Sequence, residues 1–380
     1  MMKHASVVVI GGGIVGSAIA FNLLKMGTKN VCVIEKSYVS SGSTGRCAGG
    51  IRQQWSSPMN VKLAMRSVKL FEEFEKDVGM DIEYYQGGYL LLAYTDSEVD
   101  DFEKNVRMQK SQGLDVEILT PNQIKEKFPF INIEGIKLGS WCQSDGHANP
   151  QLANIAYAIA IRKMGGEFLT HTTVAGIDVQ NGQITGVQTD NGYINTQTVV
   201  DAAGFESPKI GSMIGVDIPV HGERHQILVT EAVNHFLDPL VINFNHNYYV
   251  RQTHHGSLMM GQGDANPASG EDLGNTIEFL EEMSEKMIKD FPLLKNIHIV
   301  RQWSGAYDMS PDAQPIIDES KDISRFIYAT GFSGHGFMLA PAVGESVAEM
   351  IIHGRTITTD VSNLKMDRFT IGIEREHNVV

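Results

Sequence analysis

The chain has 380 residues, 42% of them hydrophobic and 20% charged, and a formal net charge of −14. That length exceeds one small core and predicts two domains or one composite unit, and the acidic balance excludes a nucleic-acid binder, which needs a basic face. The three cysteines, Cys32, Cys47 and Cys142, form no CxxC pair, so the chain reads as a reduced, cytoplasmic protein and not a disulfide scaffold.

The first element, ASVVVI at 5–10, is a short β-branched run suited to a strand buried on both faces. GGGIVGSAIAFNLLKMG follows, with Gly11, Gly13 and Gly16 in G-x-G-x-x-G spacing and a helical pattern to about Gly27. The charge-free stretch His4–Leu24 has the length of a bilayer span, but its glycines argue for strand, turn and helix. Neither a membrane anchor nor an export signal is expected. A second strand, NVCVIEK, closes on Glu35, 19 residues beyond Gly16. Gly11 permits the tight turn, Gly13 lets backbone approach a pyrophosphate, and Gly16 lets helix pack on strand. The helix N-terminus then faces phosphates and Glu35 accepts from a ribose hydroxyl. This is a dinucleotide site.

Next comes a small-residue loop with two arginines, SSGSTGRCAGGIRQQW at 40–55, where a nicotinamide dehydrogenase would continue with further βαβ units. A long helical stretch (59–79), a strand GGYLLLAY (87–94) and a helix within 149–168 follow. Residues 172–204 read as a β-meander with turns at Asn181-Gly182 and Asn191-Gly192. From 219 to 263, polar and apolar residues alternate as in a broad antiparallel sheet. RFIYAT then leads into a second glycine-rich turn and helix, TGFSGHGFMLAPAVGE at 330–345.

VVIGGGIVG with Glu35, GSTGRCAGGIRQQ, VVDAAGFES, WSGAYDMSPDAQPII and GFSGHGFMLAPAVGE together resemble the D-amino-acid-oxidase-like FAD-dependent oxidoreductases. The last two are most similar to the β subunits of dye-linked L-proline dehydrogenase and sarcosine oxidase. The resemblance implies an α/β (α+β composite) fold: a Rossmann-like FAD-binding domain and a substrate domain on a large, mainly antiparallel β-sheet. The FAD domain is expected over 1–80, 147–218 and 325–365, and the substrate domain over 81–146 and 219–324. Around the cofactor the resemblance places Gly11, Gly13, Ile14, Val15, Gly16, Glu35 and Lys36, then Ser43, Thr44, Arg46, Ala48, Gly49, Gly50 and Ile51. It adds Val174 on the adenine side, Ala203 and Gly204 near the pyrophosphate, and Gly305. Gly334, His335, Gly336, Phe337 and Met338 bring backbone N–H groups to the flavin pyrimidine, where negative charge gathers on reduction.

Oxidising an amine through a flavin asks the protein for a cation for a carboxylate, aromatic walls and a group for the amine. By resemblance Arg52 is the carboxylate ligand; Arg46 competes for that role. One of Tyr248 and Tyr249 faces the substrate, with Tyr249 preferred. His225 faces the substrate by resemblance, and His255 resembles a position in the proline dehydrogenase β subunit, although strand histidines are commonly structural. His221 and His225 of HGERH sit on a strand without a third ligand, so no metal is expected. Met259 and Met338 stand where monomeric sarcosine oxidases carry lysines, which implies a dehydrogenase and not an oxidase. Gly305 stands where those enzymes tether FAD, which implies non-covalent FAD. The function implied is an FAD-dependent dehydrogenase of L-proline, sarcosine or a similar amine, with an α subunit or other electron acceptor as partner and room for an FMN at a subunit interface. A stand-alone oxidase and a catalytically silent flavin-binding subunit are the alternatives.

Overall fold

In the computed structural model the described residues are 4–264, 270–372 and 375–379. Two sheets organise them. The first has six strands in the order Ile316–Glu319, Phe326–Thr330, Val199–Asp201, Val7–Ile10, Val31–Ile34 and Glu167–Leu169. Five are parallel, with Val8 opposite both Cys32 and Val199, and only the edge strand Ile316–Glu319 runs antiparallel. Strand alternation sorts the side chains. Val7, Val9, Val31 and Val33 pack with the helices Ile14–Lys25, Pro150–Lys163 and Gly336–His353. Val8, Ile10, Cys32 and Ile34 pack beneath a meander of three strands, Val174–Gln180, Gln183–Thr189 and Gly192–Asn195.

The second sheet has eight strands, in the order Ile299–Met309, His221–Ala232, Ser257–Gly263, Tyr248–Gln252, Leu240–Asn243, Tyr89–Ala93, Leu138–Cys142 and Glu117–Leu119. All neighbours are antiparallel except Leu240–Asn243 beside Tyr89–Ala93. One face (Leu90, Leu92, Val241, Tyr248, Val250) packs on the helix Ile277–Asp290 through Phe279, Met283 and Met287. The other (Tyr89, Leu91, Ile227, Ile242, Tyr249) meets Ala48 of the small-residue loop and roofs the space above the first sheet. A two-strand ribbon, Gly50–Ile51 with Gly146–His147, joins segments far apart in the chain.

Two details depart from the sequence reading. The turn after Gln180 is the expected one, with Asn181 at φ 51° and Gly182 at φ 74°. In the next hairpin Thr189 pairs with Gly192, so Asp190-Asn191 and not Asn191-Gly192 forms the loop. Thr189 Oγ1 donates to the Gly192 carbonyl at 2.7 Å and closes it. Finally, Ile316–Glu319 belongs to the nucleotide-type sheet although it falls within 219–324. Among the described residues no helix is long and apolar enough to cross a membrane.

Candidate active site

The first glycine turn leaves no room for other residues. Gly11 has φ 108°, and a Cβ there would lie 2.3 Å from the Ala202 carbonyl oxygen. A Cβ at Gly16 would lie 2.1 Å from the Gly11 oxygen, so helix and strand touch backbone to backbone. The Ile14 N–H donates to Thr44 Oγ1 at 3.0 Å, while the helix geometry leaves the N–H groups of Val15 and Gly16 without an acceptor in the helix. Glu35 is held in place by N–H of Gly12 (2.9 Å) and of Ser37 (2.8 Å) and by the Ser41 hydroxyl (3.2 Å). Its carboxylate still lines the cavity above the turn.

That cavity, of about 390 Å³, joins the two sheets. The loop at its centre is stapled to the roof: Ser43 Oγ donates to the Ala306 carbonyl (2.6 Å), Arg46 Nη1 to Ser304 (3.0 Å), and the Trp303 indole N–H to the Arg46 carbonyl (2.9 Å). Arg46 also reaches the Ser41 carbonyl at 3.4 Å. It is therefore a backbone clasp, which leaves Arg52 as the open guanidinium. A Cβ at Gly305 would lie 3.1 Å from Arg46 Cβ, so glycine there admits the clasp.

Arg52 is 3% exposed. Its charge centre sits 4.0 Å over the Trp55 ring, and the Trp55 N–H donates to the Arg52 carbonyl at 3.1 Å. Nη2 donates to the Asn378 carbonyl at 2.5 Å, but among the described residues Nε and Nη1 have no partner. Burial lowers the guanidinium pKa from its ordinary value. Buried unpaired donors beside a cavity await an acceptor. His335 stacks edge-on against Trp55 at 4.1 Å, and its Nδ1 too is unpartnered among the described residues. Burial, then the Arg52 charge, holds that imidazole well below the usual histidine range.

On the roof, Tyr249 lines the cavity, whereas the Tyr248 hydroxyl donates to Asp290 at 2.6 Å on the opposite face. His225 stacks on Tyr307 with ring centroids 3.5 Å apart and, among the described residues, leaves Nδ1 unpartnered. Burial pushes its pKa down to about 4, so the ring is neutral near pH 7. Glycine at 263 makes room for it, since a Cβ would lie 2.7 Å from His225 Cε1.

The second glycine turn is built by Asp308. Its Oδ2 accepts the Phe332 N–H (3.1 Å) and its carbonyl the Ser333 N–H (2.9 Å). Burial raises this carboxyl to about 6. Gly334, at φ 88°, is required by Tyr307, whose Cε2 would lie 2.3 Å from a Cβ. The His335 N–H is spent on the Phe332 carbonyl at 2.9 Å, so it is no donor to a ligand. Gly336, Phe337 and Met338 form the first turn of the helix Gly336–His353 and line the cavity.

Of the residues singled out in the sequence, Ile14, Lys36, Ala48, Gly49, Gly50, Val174, Ala203 and Gly204 also line this cavity. Three do not. Gly16 packs helix on strand, Ile51 is buried in the ribbon, and His255 lies in the hairpin turn closed by Gly256, its side chain 76% exposed beside Glu83 at 3.5 Å. His255 is thus corrected from substrate residue to surface turn. Sequence reading passed over Tyr89, Tyr307 and Asp308, which line the cavity, and Arg251, buried opposite Met259. Arg251 Nε donates to the Ala48 carbonyl at 2.5 Å and Nη1 meets His147 Nδ1 at 3.2 Å, fixing the loop from behind. Among the described residues, no group of three or more His, Cys, Asp or Glu is placed to hold a metal ion.

A glycine turn under a helix N-terminus, an acid ending the second strand and a sheet roofing the same cavity define a dinucleotide-binding oxidoreductase of the flavoprotein kind. The sequence profile of the DAO family, FAD dependent oxidoreductase, matches residues 6–350, and the chain belongs to that family. It is 30% identical over 376 residues to the sarcosine oxidase subunit beta of Rhizobium meliloti (strain 1021), covering 97% of this chain and 89% of that protein. It is 29% identical over 373 residues to the mitochondrial dimethylglycine dehydrogenase of Mus musculus, spanning 92% of this chain but only 43% of that longer protein. The crystal structure of L-proline dehydrogenase from P. horikoshii superposes with a TM-score of 0.94 at 39% identity, covering 99% of this chain and 100% of that one. The cradle fits FAD: among the described residues Gly204 has nothing within 4 Å of where a Cβ would stand, and Val15, an open donor at the first helix N-terminus, lines the cavity together with Glu35.

Proposed function

We propose that the chain is an FAD-dependent dehydrogenase that oxidises the C–N bond of a secondary amine or imino acid carrying a carboxylate, of the L-proline or sarcosine type. The observation that carries this is Arg52, buried, stacked on Trp55 and left, among the described residues, with Nε and Nη1 unpartnered beside the cavity. A planar fork of that kind suits a carboxylate. The names of the similar proteins, a sarcosine oxidase subunit and an L-proline dehydrogenase, support the same substrate class.

FAD, when bound, supplies the hydride acceptor. The chain's own residues do the rest. Arg52 orients the substrate through its carboxylate, and Tyr249 and Tyr307 wall the space and keep water out. Neutral His225, with Nδ1 open, accepts the substrate's N–H and so holds the nitrogen lone pair toward the reacting carbon. The N–H groups of Gly336, Phe337 and Met338 offer the positive end of an 18-residue helix to the cofactor ring. Met338 puts no cation there, which favours an acceptor other than oxygen. We place the chain in the cytoplasm as the β subunit of a complex whose partner, an α subunit or another electron carrier, takes the electrons onward; an FMN at that interface belongs to the same reading.

The test is a visible spectrum of purified protein followed by anaerobic addition of L-proline, sarcosine or glycine. Bleaching by one of the first two, persisting after air is admitted, is the expected outcome. A flavin that none of the three bleaches would sink the substrate reading, and rapid recolouring with peroxide release would make the protein an oxidase. Chromatography of acid-released cofactor from protein purified with its partner separates FAD alone from FAD with FMN.

A further inference from the structure

Arg52 is open on two nitrogens but tied on the third, and the tie comes from far along the chain. Its Nη2 donates to the backbone carbonyl of Asn378 at 2.5 Å. The segment bearing that carbonyl is strapped to the residues flanking Arg52. Glu376, 1% exposed, accepts the Ser56 N–H (2.8 Å), the Ser56 hydroxyl and the Asn60 amide (3.0 Å). The Asn378 side chain donates to the Gln54 carbonyl at 3.1 Å, and Glu376 N–H to the Asp312 carbonyl at 2.9 Å. Asp312 is itself gripped by buried Arg368, at 2.7 and 3.0 Å. A surface groove lined by Ser56, Phe244, His377 and Asn378 lies outside the strap. Asn378 therefore stands between that groove and the guanidinium.

We propose that Glu376 and Asn378 are positioning residues of the carboxylate subsite, orienting the Arg52 fork for small carboxylated amines. This deepens the function proposed above and rests on Arg52 as the carboxylate ligand. The physical reason lies in what a free fork would do. An arginine stacked on one ring can turn in the ring plane, and a carboxylate would then have to fix it at an entropic cost. With Nη2 anchored, the plane and heading of the fork are set before substrate arrives. Buried Glu376 also lends negative charge, offsetting the desolvation that works against the cation. The acceptor is a backbone carbonyl, so the substitutions act by loosening the segment that carries it and weakening a bond of the stronger, charge-assisted kind.

The experiment uses the FAD-loaded full chain and reads flavin absorbance while pyrrole-2-carboxylate, or uncharged pyrrole as the control, is titrated in. Glu376→Gln and Asn378→Ala are expected to raise the Kd for pyrrole-2-carboxylate about tenfold with pyrrole unaffected. Arg52→Met is expected to abolish the carboxylate preference. Carboxylate affinities within about twofold of the parent in both strap variants, with Arg52→Met still losing it, overturn the strap alone. Arg52→Met binding as the parent does, or no carboxylate response from the parent, overturns the Arg52 reading and the strap with it. Should Asn378→Ala release its flavin, the near-isosteric Glu376→Gln decides.

Discussion

Replacing Arg52 by methionine should leave the stability nearly unchanged and make the protein nearly useless for carboxylated amines. Among the described residues the buried guanidinium has two unpartnered nitrogens, and replacing a buried ionic group by a hydrophobic side chain of similar volume gains about 1–4 kcal/mol. Against that stand the lost bond to Asn378, about 1.5–3 kcal/mol before compensation by water, and the contact with Trp55, about 1 kcal/mol. Asp145 and Glu376, the nearby carboxylates, keep their N–H donors and are not left bare. Gain and loss nearly cancel, leaving a net change within about 2 kcal/mol of zero. With an unfolding entropy of about 2 cal/mol/K per residue, a chain of this length then shifts by no more than roughly 1–3 °C. The cost to binding is larger: a bidentate carboxylate loses about 3–4 kcal/mol, a rise in KM of roughly 100- to 1000-fold. Thermal scanning of flavin-loaded protein and steady-state kinetics with a dye acceptor measure both. A variant that melts several degrees lower while keeping its KM would refute the reasoning, because Arg52 would then be a structural pillar.

Other substitutions separate neighbouring effects. Gly334→Ala meets both the left-handed backbone at φ 88° and the Tyr307 ring; about 2–5 kcal/mol is lost, seen as a melting point roughly 3–6 °C lower and weaker FAD retention on gel filtration. His225 is depressed by burial from 6.5 to about 4, so its neutral ring contributes fully above pH 6.5 and that contribution is lost as pH falls toward 4. His225→Gln should therefore flatten the acid side of the melting curve by about 3 kcal/mol, and an unchanged slope would contradict the burial argument. Asp145 is raised by burial from 3.8 to about 6. Its contribution is present at low pH and lost as pH rises through about 6, so Asp145→Asn should show the opposite pH dependence. Because Asp145 accepts from Gln53 and Gln54 next to Arg52, its loss should also raise KM for carboxylated substrates more than it lowers kcat.

The first glycine turn and Glu35 were legible because the contacts that set their spacing, Gly16 on Gly11 and the Gly12 N–H on Glu35, are local or lie one helix away. The roof was legible in kind but not in register. Alternation made Tyr248 and Tyr249 face opposite ways, yet only the seat of Asp290 against Tyr248 shows which is inside. Arg46 and Arg52 could not be told apart, since what separates them is a carbonyl at Ser304 and another at Asn378. His255 was misplaced because strand propensity in THHGS gives way to a turn at Gly256, φ 95°. Periodicity also missed the helix Asp96–Ser111, whose surface is mostly charged, although the capping boxes Thr95–Glu98 and Thr120–Gln123 announced that helix and the one after it.

The helices that begin at Ile14 and Gly336 follow parallel strands of one sheet, so both present their N-termini at the same edge. They lie flank to flank, with Gly344 so close to Ala18 that a Cβ would come within 2.6 Å of its carbonyl carbon. The two positive ends are thereby locked at a set span, like the jaws of a caliper. A cofactor that engages both must reach from one jaw to the other. A mononucleotide fills one and leaves the other gaping, so the lock acts as a gauge of cofactor length, and a bulky residue at Gly344 would spoil the gauge without touching the ligand.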